Sequence, residues 1–138
     1  MKTRSLLLSL LIVLSGAAGA KELDYGLVLT AGTGVIDGRV VRYLTVFKEP
    51  CLIVQNLVPG DVGSVVNESR ICGLSGRGFS EDFADFSFER GVFEKGGLFF
   101  EVIASPVKPI GEKKLYCEVK FSGASADHLS CKSAQGEE

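Results

Sequence analysis

Four cysteines, a single histidine and one glycine- and serine-rich run are the residues of this chain whose chemistry reaches beyond packing. Cys51, Cys72, Cys117 and Cys131 are even in number, and in a short exported chain that pattern reads first as two disulfides. Four cysteines allow three pairings, and strand register selects among them. Lys113 to Phe121 alternates strictly, with Leu115, Cys117, Val119 and Phe121 on one face and Tyr116, Glu118 and Lys120 on the other. His128 to Lys132 is a shorter echo. Folding it back sets Val119 against Leu129 and Cys117 against Cys131. The expected bridges are therefore Cys51–Cys72 and Cys117–Cys131, each closing a loop that chain entropy values at about 3 kcal/mol. A zinc site is disfavoured, because no C-x-x-C pair exists and His128 adjoins only Cys131. The same missing spacing argues against a redox-active pair.

Catalytic patterns fall short of what their chemistry needs. Gly73-Leu74-Ser75-Gly76-Arg77 approaches a nucleophile elbow but carries Arg where G-x-S-x-G requires its last glycine. His128 would have to serve as the base for Ser75, and a lone histidine in a turn is more often a solvated polar residue. Gly73 to Gly78 lacks the G-K-[ST] ending of a P-loop, so it is read as turn-forming glycine. Glu81, Asp82 and Asp85 form an acidic cluster without the spacing of a calcium loop. No cofactor, no metal and no enzymatic activity are expected. Asn67-Glu68-Ser69 matches a glycosylation acceptor, a short pattern that often arises by chance.

The elements that carry these residues follow from a leader and a strand-rich remainder. Lys2 and Arg4, the apolar run Leu6 to Leu14 and the small residues Ala18-Gly19-Ala20 have the three-part plan of a secretory signal peptide over residues 1–20. The run is too short to span a bilayer comfortably, which takes about 20 apolar residues. The working protein is then the single β domain 21–138, 118 of the 138 residues. The leader holds two basic and no acidic residues, so its removal takes the formal charge from −2 to −4. A mildly acidic chain without a basic cluster is poorly suited to nucleic acid or anionic membranes. The protein is expected in the periplasm or outside the cell.

Asp37-Gly38 predicts a hairpin turn in which Ile36 faces Arg39, Ala31 faces Leu44 and Leu29 faces Val46. Gly32 and Gly34 suggest bulges or sharp twist, and Glu49-Pro50 ends the returning strand. Cys51 to Leu57 reads as a buried strand. Val62 to Phe83 reads as a long loop, with a short strand at most at Val65-Val66. Ala84 to Glu89 alternates and Val92-Phe93 follows after Gly91; Leu98 to Ser105 and the two cysteine strands come next, with a glycine hairpin turn at Lys95-Gly96-Gly97-Leu98. The fold class is all-β: a small disulfide-stapled antiparallel β-sandwich or barrel. The C-terminal Ser133 to Glu138 is polar and expected to fray.

Two functional classes fit. One is a monomeric binding protein, inhibitor or immunity-type, that recognises another protein through its long loop, with Arg70, Arg77 and Phe79 as contacts because Arg and aromatics anchor interfaces. The other is a structural subunit of an envelope or surface assembly, pairing through Leu98 to Ile103 if that strand lies at a sheet edge.

Overall fold

The computed structural model describes residues 22–109 and 111–134. The expected leader (1–20) and all but the first residues of the polar C-terminal tail lie outside them. A 3-10 turn (Tyr25–Leu27), ten strands and one α-helical turn follow one another among the described residues: β1 (Val28–Ile36), β2 (Arg39–Val46), β3 (Glu49–Leu57), β4 (Val65–Ile71), β5 (Gly73–Leu74), β6 (Arg77–Gly78), α1 (Phe79–Asp82), β7 (Phe83–Glu94), β8 (Gly97–Pro106), β9 (Lys113–Ser122) and β10 (Ser125–Ser133). They build two four-stranded antiparallel sheets, β1-β2-β3-β4 and β10-β9-β8-β7, with β5 and β6 as a separate small hairpin. The all-β, disulfide-stapled architecture expected from the alternation is thus present.

The inner faces of both sheets share one core. Val41, Leu52, Val54 and Ile71 come from the first sheet; Leu98, Phe100, Val102, Cys117, Val119 and Leu129 come from the second. The sheets also meet along both edges, β1 beside β7 and β4 beside β10, although no ladder joins them. At the first seam Tyr43 and Phe93 fill the space that side chains would otherwise occupy. A Cβ at Gly91 would lie 2.4 Å from the Tyr43 ring and 2.8 Å from Phe100, and one at Gly34 would lie 2.2 Å from Phe93. Gly32 and Gly34 are therefore ring-packing positions rather than bulges. The bulge lies beside them, between Val28 and Thr30, so Val28 rather than Leu29 opposes Val46 and Leu29 turns to solvent. The Ile36–Arg39 and Ala31–Leu44 pairs are as the turn predicts.

Three other expectations change. Glu49-Pro50 does not end a strand. Phe47 and Lys48 make a second tight turn, with Lys48 at φ +64°, and Glu49 opens β3. Pro50 is tolerated there because it falls in the bulge between the Thr45–Leu52 and Val46–Glu49 pairs, where no ladder N–H is required. The segment 62–83 is largely regular: β4, a two-residue hairpin and a helical turn. Strand β4 escaped notice because its inward positions Asn67 and Ser69 are polar, so no apolar alternation exists. They face partners at the second seam, where Asn67 Oδ1 accepts a hydrogen bond from Asn56 Nδ2 and Ser69 Oγ accepts one from Ala126 N at 3.2 Å. The glycosylation-like triplet thus sits in a strand with its Asn and Ser turned inward. Finally, β8 lies between β7 and β9, so Leu98 to Ile103 has no free edge with which to pair.

Both expected disulfides are present. Cys117 stands directly opposite Cys131 in the β9–β10 ladder, Cα atoms 4.0 Å apart, and Val119 stands opposite Leu129. Cys51 and Cys72 continue the β3–β4 register one step past the Leu52–Ile71 pair, with Cα atoms 4.2 Å apart. Their separations of 21 and 14 residues set the loop closed in the unfolded chain. Replacing Cys117 and Cys131 together with alanine is expected to lower unfolding stability by about 3 kcal/mol in denaturant titration; an unchanged midpoint would show that the bridge does not staple the hairpin. Gly91→Ala is expected to destabilise by about 1–3 kcal/mol, since an added methyl overpacks a buried aromatic contact. Thermal unfolding of that variant checks the seam.

Candidate functional site

The segment 70–82 is built to project a rigid feature rather than a floppy loop. After β4 the chain is pinned at Cys72 to Cys51, then reverses at Ser75-Gly76, whose φ values of +51° and +79° are those of a tight hairpin turn. Gly73 opposes Gly78 and Leu74 opposes Arg77. Only glycine fits at 73, because a Cβ there would fall 1.9 Å from the Arg77 carbonyl oxygen. Phe79 N donates to Cys72 O at 2.9 Å and closes the base of the hairpin. Gly73-Leu74-Ser75-Gly76-Arg77 is therefore a β-hairpin tip, not a strand-to-helix elbow.

Phe79 departs from its expected role as a surface contact. Its side chain is 2% exposed and stacks on Phe86 with ring centroids 4.2 Å apart. Phe86 and Phe88 in turn pack on one another and on Phe83 and Phe100. Burying an aromatic of this size stabilises by about 1.5–3 kcal/mol, so Phe79 anchors α1 to β7 and is withheld from any partner. Its aromatic type was legible; its inward direction depended on where the hairpin ended.

Arg70 and Arg77 do come together, on one groove of about 550 Å³ between the β5–β6 hairpin and β10. Ser75, Asp127, His128 and Leu129 share it. The two arginines differ in their freedom. Arg70 is largely covered and engages Glu49 on the neighbouring β3 and Glu68 on its own strand, the Glu68 contact at 3.0 Å. Glu68 extends this into a cross-strand chain, because it accepts from the buried Gln55 Nε2 at 2.8 Å, while Gln55 Oε1 accepts twice from Arg42 at 2.9 and 2.6 Å. Arg42, Gln55 and Glu68 are directly opposed residues on β2, β3 and β4, so register alone aligns them. Arg77 is 62% exposed, held at the rim by Asp82 at 3.0 Å and more loosely by Glu81 at 3.7 Å.

Those ion pairs explain two members of the acidic cluster as partners of Arg77. All four cysteines are oxidised, which removes them as metal ligands. His128 Nδ1 lies 2.7 Å from Asp127 Oδ2 with both side chains well exposed. No hydrogen bond joins Ser75 to His128 among the described residues, although both face the groove. Asp127 and Leu129 are additions that sequence reasoning missed. They lie some fifty residues from Arg77, and only the packing of β10 beside β4 brings them there.

No helix among the described residues is long and apolar enough to cross a membrane. Two disulfides are the chemistry of an oxidising compartment. Comparison of the chain with protein-family models, with curated proteins and with solved structures finds no match.

Proposed function

We propose that this chain is an exported binding protein that acts by recognising another protein, as an inhibitor or immunity-type module of the periplasm or cell exterior. One observation carries the reading: a short hairpin, locked at its base by the Cys51–Cys72 bridge and the buried Phe79, holds the exposed Arg77 at the rim of an open groove. Rigid presentation of an arginine reduces the ordering cost of association, and arginine is among the residues enriched at interface hot spots. The groove is open and of mixed polarity, with Arg70, Asp127 and His128 beside the apolar Leu129, a composition suited to a protein surface. The mature chain acts as a monomer without a cofactor, and its role is binding rather than catalysis. Disulfides formed on export supply the rigidity.

The assembly alternative loses its stated pairing strand, since β8 is interior. Light scattering of the chain from Lys21 is expected to give a monomer at every concentration, and concentration-dependent oligomers would favour the assembly reading. For the binding reading, the chain is used as bait against the producing cell's envelope fraction and medium. A single stoichiometric protein is expected, bound about thirtyfold more weakly by Arg77→Ala, the loss typical of a hot-spot residue. Thermal stability of that variant should change little, because exposed ion pairs contribute at most about 1 kcal/mol. Equal retention by wild type and Arg77→Ala overturns the placement of the contact.

A further inference from the structure

The outward face of the second sheet carries a different surface. Strand alternation turns Val92 of β7, Phe99 of β8 and Tyr116 of β9 away from the core, although a face that meets only water is ordinarily polar. Tyr116 is 49% exposed and Val92 40%. The Phe99 ring lies back along the sheet over Gly97, where a Cβ would come within 2.9 Å of it. Glycine at 97 thus lets the ring lie against the strand, a packing of aromatic on glycine. Register sets Phe99 opposite Val92 and Glu118, and Tyr116 opposite Glu101 and Lys132. The result is a depression of about 480 Å³ with the two rings at its floor, within the size range of small-ligand sites.

Its rim is charged but of both signs. Glu94, Glu101 and Glu118 supply carboxylates, and Arg90 and Lys132 supply cations. Two of the carboxylates are already engaged, Glu101 by Lys114 at 2.6 Å and Glu118 by Lys120. The hydrogen bond to Glu101, then its charge, raises the pKa of the Lys114 ammonium above its ordinary value. With Glu101 and Glu118 paired to lysines, Glu94, Arg90 and Lys132 are the remaining rim charges, so an ion of either sign meets a like charge there. A neutral molecule meets acceptors and donors together around an apolar floor. A sugar ring has that character: a C–H face that lies on an aromatic ring, and hydroxyls around its edge that both donate and accept.

We propose that the outward depression of β7–β10, floored by Phe99 and Tyr116, binds the rings of a neutral oligosaccharide. Tyr116 supplies the exposed stacking plane, and Glu101 and Lys132 bond ring hydroxyls on either side. This surface is separate from the hairpin groove, so the proposal stands whether or not Arg77 contacts a protein.

An array of neutral, acidic and amino-sugar oligosaccharides, followed by calorimetry with the best-retained member, tests it using the chain from Lys21 with both disulfides formed. Retention of a neutral oligosaccharide is expected. Tyr116→Ala should weaken it about tenfold and Glu101→Gln severalfold, while Arg77→Ala leaves it unchanged. Tyr116 is exposed, so its variant should keep the wild-type thermal midpoint. Retention of no neutral oligosaccharide, a preference for acidic or amino sugars, or equal affinity of wild type and Tyr116→Ala each overturns the proposal.

Discussion

Two four-stranded sheets with no ladder between them depend on what fills the space between their faces. Here aliphatic residues fill the centre and aromatic rings the β1–β7 seam, where the rings fit because the opposing backbone carries no side chain at the points of contact. Tyr43 reaches across from β2 against Gly32 and Gly91, donates no steric conflict to either, and accepts a hydrogen bond from Gly91 N at 3.3 Å. Its ring meets Phe100 edge-on at 4.9 Å, a favoured aromatic geometry. Phe100 leads to Phe88, and Phe88 to Phe86 and Phe79. One aromatic series therefore runs from the β1–β7 seam to the base of the β5–β6 hairpin.

That continuity links scaffold and surface. The hairpin is too short to have a core of its own; a two-residue ladder gives little stability. Its order comes from neighbours on both sides: the Cys51–Cys72 bridge before it and Phe79 after it. The chain of Arg42, Gln55, Glu68 and Arg70 does the comparable work on the outer face of the first sheet. Gln55 is 1% exposed, and a buried amide left without partners would cost about 1–3 kcal/mol. Its bonds to Arg42 and Glu68 keep it in place and commit Arg70 to structure. Of the two arginines at the groove, Arg77 is the one with freedom to engage a partner.

Strand alternation was readable wherever one face was apolar and the other polar. The β9–β10 register and the Cys117–Cys131 pair follow from that pattern, because a period of two fixes which residues oppose one another; Cys51–Cys72 is the pair then left, and the first hairpin turn was legible from Asp37-Gly38. Where alternation was weak, so was the reading. Strand β4 faces Asn56 and β10 with Asn67 and Ser69, and polar residues inside a seam look like a loop when their partners are unknown. Pro50 looked like a strand end because the bulge that accommodates it is a property of two strands, not one. Phe79 looked like an anchor for a partner because its neighbours in sequence are polar and flexible, whereas its neighbours in space are Phe86 and Phe88.

Local order thus determined the fold class, the strand pairs joined by short turns and the cysteine pairing, since each depends on residues close in sequence. Tertiary structure alone decided that β8 is interior, that Phe79 is core, and that Arg70, Arg77 and His128 line one groove. It also decided that Phe99 and Tyr116 share an outward face with a rim of mixed charge. These are contacts between segments far apart in sequence, or between sheets, and no one-dimensional period records which sheet will lie against which. The physical reason is that a strand's own pattern says which side is apolar, while the side chains that cover it belong to another part of the chain.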